Sequence, residues 1–83
     1  MDREDVDSSA IASVGFQVGF GIETGALYRF VPGILEIQFT DGSVYRYHNV
    51  PGNIVQEMME SASPGAYFNF SIRRGPYSYT RIG

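Results

Sequence analysis

The stretch 34–50 constrains the fold more than any other part of this 83-residue chain. Leu35, Ile37 and Phe39 alternate with Glu36, Gln38 and Thr40, the period-two pattern of a strand with one buried face. Asp41-Gly42 follows as a strong hairpin signal, and Val44 to Val50 returns as the partner strand. Face matching decides the loop. A two-residue Asp-Gly loop sets Ile37 opposite Arg46 and Leu35 opposite His48, mixing apolar and polar groups on one face. A three-residue loop, Thr40-Asp41-Gly42, sets Ile37 opposite Tyr45, Leu35 opposite Tyr47 and Glu36 opposite Arg46. That register gives an apolar inner face and an outer pair of opposite charge. A slip of one residue inverts every side chain. The sequence therefore predicts the three-residue loop, with Gly42 in a left-handed bulge position.

The core behind this hairpin has little margin. A single domain of this length buries only about two-thirds of its unfolded surface, and two domains do not fit. With no cysteine, disulfides and thiolate metal sites are excluded, and one histidine argues against structural zinc. No metal and no cofactor are expected. Six Phe and six Tyr, without Trp, leave aromatic packing as the support, helped by self-association where that occurs.

The remaining segments follow from the same patterns. Residues 1–8 (MDREDVDS) are polar and acidic and read as a disordered arm. Residues 9–83 form one domain. Val14, Phe16, Val18 and Phe20 alternate with Ser13, Gly15, Gln17 and Gly19 as a first strand whose glycines suggest a bulge or a close backbone. Ala26 to Val31 reads as a second short strand, closed by Pro32-Gly33. After the hairpin, Ile54, Val55, Met58, Met59 and Ala62 recur at helical spacing, with Pro51 near the helix start and the end near Ser61 to Ala62. Residues 66–74 (AYFNFSIRR) fit a strand or a helix, and the Ser63-Pro64 start favours a short helix. Tyr77 to Ile82 alternates and either adds an edge strand or lies across the sheet. The expected class is α+β: a small antiparallel β-meander of three to five strands, packed on one face by one or two short helices.

From Ser8 to Tyr77 a family resemblance runs through these elements. The segments are SSAIASVGF at 8–16, LEIQF at 35–39, DGSVYRY at 41–47 and Val50-Pro51. Ser63, Gly65, Tyr67-Phe68-Asn69, Ile72-Arg73 and Tyr77 complete it. In order and spacing the chain resembles the KTSC domain, a short module found at the C-terminus of some lysyl-tRNA synthetases and as stand-alone bacterial or phage proteins. The resemblance implies no assigned enzyme activity, and RNA binding has been proposed for the family. Two departures stand out. Residues 17–33 form an apolar insertion, read as an added hairpin or as cover for a partner. Gly75-Pro76 separates Arg74 from Tyr77 and leaves the positions of Tyr77 and Tyr79 open.

Charge points to the other end of the chain. The net charge of −3 conceals an acidic arm and a C-terminal segment, 61–83, that carries Arg73, Arg74 and Arg81 and no acid. Every fixed positive side chain is arginine, which suits planar recognition of phosphate and stacks on rings. Tyr67, Asn69, Arg73, Arg74, Tyr77, Tyr79 and Arg81 form the best candidate cluster for a stackable, phosphate-bearing ligand such as RNA or a small nucleotide. The bland alternative is a tyrosine-rich edge packed on the sheet. The register turns Tyr45 and Tyr47 inward, which favours burial over base stacking.

No phosphate loop, HExxH or Gly-x-Ser-x-Gly is present, so a non-enzymatic binding module is expected. His48 reads as a solvated strand residue, and Glu57 and Glu60 as helix surface. The alternative function is protein interaction or homo-oligomerisation through the insertion, with Phe20, Tyr28 and Phe30 at the interface. No apolar run approaches the roughly 20 residues that span a bilayer, and the acidic N-terminus lacks a signal-peptide core, so a cytoplasmic protein without membrane contact is expected.

Overall fold

The computed structural model describes residues 1, 3–18 and 32–83. Phe20, Tyr28 and Phe30, the expected interface residues, and most of the expected hairpin at 17–33 lie outside the described residues. Among the described residues, five strands form one antiparallel sheet in sequence order: β1 (Glu4–Asp5), β2 (Ile11–Val18), β3 (Pro32–Phe39), β4 (Val44–Pro51) and β5 (Tyr79–Arg81). Between β4 and β5 the chain forms α1 (Gly52–Glu60) and α2 (Pro64–Phe68), and α2 runs on into a π-helical turn over Asn69–Arg73. The domain is an α+β meander, as expected.

The β3–β4 hairpin has the predicted register. Leu35 pairs with Tyr47, Glu36 with Arg46 and Ile37 with Tyr45. Phe39 N–H donates to the Ser43 carbonyl at 2.9 Å, closing the three-residue loop, and Gly42 takes φ 92. Further along, β4 carries one extra residue: Gly33 pairs with Val50, one step out of the earlier register. Asn49, at φ 59, takes up the step. Its short amide side chain makes asparagine one of the few residues that tolerate the left-handed region. On the other side β3 approaches β2 closely. A Cβ on Gly33 would collide with the Gln17 carbonyl oxygen and lie 2.8 Å from the Phe16 ring.

The core lies on one face of the sheet. Ile11, Val14, Leu35, Ile37, Tyr47 and Val50 meet Val55 and Met58 of α1, Phe68 of α2 and Ile72 of the π-helical turn. Pro64 at the first position of α2 has no N–H to lose, so Ser63-Pro64 starts a helix. This resolves 66–74 as helical. The opposite face is polar. Glu36 is buried there, bridged by Arg46 Nε at 2.9 Å and by Arg3 at 3.1 Å. Arg3 belongs to the arm expected to be disordered. Within that arm Glu4–Asp5 pairs with Val14 and Ser13, and Val6 N–H donates to the Ala12 carbonyl. The arm therefore carries a short edge strand.

Candidate functional site

The helices cover only part of the sheet. The nine residues of α1, and the five of α2 together with the five of its π-helical turn, each span no more than about 15 Å at 1.5 Å per residue. Eight-residue strands run more than 25 Å. Phe68 and Ile72 close over the centre, and the β4–β5 side beside the hairpin turn stays open. An open cleft of about 630 Å³ lies there.

Its floor is aromatic. Phe39, Tyr45, Tyr47 and Tyr79 all line it. Phe39 meets Tyr45 edge-on at 5.7 Å, and Tyr79 lies 5.7 Å from Tyr45 and 5.5 Å from Tyr47, centroid to centroid. Tyr47 and Phe39 in turn pack edge-on against Phe68, which ties the floor to the core. Cross-strand pairing produces this ladder: β5 sets Tyr79 opposite Tyr47 and Arg81 opposite Tyr45. The Arg81 guanidinium lies over the Tyr45 ring at 5.8 Å. Tyr79 is 61% exposed, so its ring is free to take a stacked partner.

Charge sits around the rim. Arg73 lines the cleft from the end of the π-helical turn, and Thr40, Asp41 and Ser43 line it from the hairpin loop. Ser43 donates both its N–H (2.9 Å) and its hydroxyl (2.6 Å) to Asp41, which holds that carboxyl below its ordinary range, with Arg81 adding to the effect. Burial pushes the Tyr47 phenol up, and the nearby Arg73 guanidinium partly opposes the shift. The remaining wall, Ser9 and Ala10, comes from the start of the domain.

The structure divides the cluster expected from sequence. Arg73 and Tyr79 enter the cleft. Tyr67, Asn69, Arg74 and Tyr77 do not line it. The Tyr67 hydroxyl donates to Glu57 of α1, and burial together with that bond raises its pKa. The Asn69 carbonyl accepts the Arg74 N–H, capping the turn. Tyr77 packs against the core beside Gly75. Arg74 lies over Phe70 at 5.3 Å, outside the cleft. The signal for Phe39, Tyr45 and Tyr47 was present in the face alternation. A residue on the inner face of the sheet also lines the cleft where the helices do not reach it.

His48 is half-buried on the outer face, its Nε2 3.0 Å from the Thr80 hydroxyl. Among the described residues, no group of three or more His, Asp or Glu side chains is placed to hold a metal. No helix there is long and apolar enough to cross a membrane.

A family model described as the KTSC domain matches residues 24–77. The chain belongs to the KTSC domain family. An uncharacterized protein of Stutzerimonas stutzeri (strain A1501) is 43% identical over 82 residues, covering 99% of both chains. The crystal structure of a KTSC domain protein from Yersinia pestis is 30% identical, with a TM-score of 0.78 over 99% of this chain and 97% of that one. The apolar stretch 17–33, read from sequence as an insertion, falls within the aligned length of both. The family match takes in the β3–β4 hairpin, both helices and Arg73; β2, with Ser9 and Ala10 before it, lies upstream of it.

Proposed function

We propose that this KTSC domain is a non-catalytic binding module for a nucleotide unit, the building block of RNA. The base stacks on the exposed ring of Tyr79, which Tyr45 and Tyr47 support from the sheet, and the phosphate meets Arg73. One observation carries this reading: four rings and an arginine line a single open cleft. Its volume lies within the range of small-molecule sites, and both recognition elements suit a nucleotide. Asp41 also lines the cleft and repels phosphate, which leaves Arg73 as the phosphate contact among the lining residues.

Titration of tyrosine fluorescence with the four ribonucleoside 5′-monophosphates and with the nucleosides, at low salt, tests this. A guanidinium–phosphate contact contributes about 1.5–3 kcal/mol. Arg73→Ala should therefore weaken monophosphate binding by roughly tenfold or more and leave the weaker nucleoside binding unchanged. Equal affinity of wild type and Arg73→Ala for the monophosphates contradicts the reading, as does an absence of saturable binding.

A further inference from the structure

β5 pairs with β4 on one side, and among the described residues no strand lies on its other side. Every residue from Ser78 to Gly83 is exposed. Hydrogen bonds fix where the backbone groups of β5 point. His48 N–H donates to the Ser78 carbonyl at 2.9 Å, and Ile82 N–H donates to the Val44 carbonyl at 2.8 Å. Successive residues of a strand turn their N–H and C=O to opposite sides. Ser78, Thr80 and Ile82 therefore turn toward β4, and Tyr79 and Arg81 turn outward. The side chains of Tyr79 and Arg81 share the inner face with Tyr47 and Tyr45, their partners on β4. A strand added at this edge would thus bond to these two residues and set its own side chains beside theirs.

Charge selects what can pair there. Among the described residues the ion pairs join Glu36 to Arg3 and Arg46, and Arg73, Arg74 and Arg81 make none. Arg81 acts on Asp41 through its charge, but that carboxyl is taken by two hydrogen bonds from Ser43. The Arg81 Nε donates to the Gly83 carbonyl, which leaves the terminal nitrogens as donors. An arginine on the inner face of an edge strand opposes a basic or wholly apolar strand and accepts a carboxylate. The opposite edge, β1, is Glu4–Asp5 and repels an acidic chain.

We propose that the free edge of β5 binds an extended acidic peptide as an added antiparallel strand. A carboxylate of the peptide lies opposite Arg81, and an aromatic residue two positions later lies opposite Tyr79. Main-chain bonds to Tyr79 and Arg81 supply affinity, and the alternate side chains supply specificity. This edge is a different surface from the cleft lining, and the proposal stands with or without a nucleotide there. A second copy of the chain fits less well: β5 against β5 joins three residues a side and makes the two Arg81 side chains diagonal neighbours.

The probe is an amidated, fluorescein-labelled peptide, Ser-Glu-Thr-Phe-Thr-Ser, followed by anisotropy at low salt. N-methylation of its Glu or its Phe removes an N–H aimed at β5 and should weaken binding about tenfold or more. N-methylation of the Thr between them, whose N–H points away, should cost less than about threefold. Arg81→Glu should weaken binding about tenfold or more, and Arg in place of the peptide's Glu should restore it. The N-methyl series uses wild type alone, so it decides the matter even where Arg81→Glu disturbs β5. No saturable binding, equal losses from all three N-methylations, or no rescue in an Arg81→Glu variant that is folded by circular dichroism overturns the proposal. A stable dimer in sedimentation equilibrium that excludes the peptide assigns the edge to a second copy and overturns it too.

Discussion

Tyr47 connects the core to the cleft. The residue is 4% exposed, its ring edge-on to Phe68 at 5.2 Å and beside Tyr79 at 5.5 Å, and it lines the cleft. Burial raises its pKa above the ordinary value of 10.0. The protonated form is therefore favoured in the fold. The stabilisation is complete below about pH 10 and is lost as pH rises toward the folded-state value, because the unfolded chain releases the proton first. Tyr47→Phe removes the ionisable group and keeps the ring. Its midpoint of alkaline unfolding should lie above that of wild type, and an unchanged or lower midpoint contradicts this assignment. Glu36 shows a different balance at the same scale. Its buried carboxylate has two arginine partners whose side chains are 29% and 40% exposed. Exposed arginines gain little from such pairs, while an unpartnered buried carboxylate is costly. The pair thus explains why Arg3 draws an acidic arm onto the sheet, which local composition did not show.

At the scale of elements, the hairpin was readable because only one register gives both an apolar inner face and an opposite-charge outer pair. The two bulges were readable in principle by the same logic. Tyr45 and Tyr47 are two apart on the inner face, and the next inward residue, Val50, is three further on. In β2, Ile11 and Val14 are three apart before Phe16 restores the period, and the pairing shifts between Ile11 and Ser13. A break from two to three in the apolar spacing marks an added residue. Asn49 is the residue added in β4, and only a residue at ease with positive φ fits there. Asn49→Val should destabilise the domain by about 1–2 kcal/mol, the left-handed penalty made worse by β-branching, whereas Asn49→Gly should fall within a few tenths of wild type. Urea denaturation of both variants measures the difference; equal losses in both contradict the bulge. The helical choice at 66–74 came from Ser63-Pro64 rather than from the ambiguous apolar pattern, because a start signal specifies the local backbone directly.

For the whole molecule, the open cleft follows from a mismatch of dimensions: a five-stranded sheet carries two short helices on one face. That mismatch explains which part of the site could be read from sequence. Arg73 and Tyr79 were accessible to charge and composition arguments. Phe39, Tyr45 and Tyr47 read as core in the sequence, since their exposure depends on where the helices end. Tyr67 reads there as a ligand contact, since its bond to Glu57 forms only when α1 and α2 pack together. Strand order also converts the uneven sequence charge into a polarity across the sheet, with acids along β1 and arginine along β5. Amide shifts mapped by heteronuclear NMR during titration with a ribonucleoside monophosphate locate the ligand on the fold. The perturbed amides should cluster at the hairpin loop from Phe39 to Tyr47, at Arg73 and from Tyr79 to Arg81, and the effect should vanish in Arg73→Ala. Perturbation centred instead on Glu57 and Tyr67, on Glu4–Asp5, or unaltered by Arg73→Ala would place the site elsewhere and contradict the account.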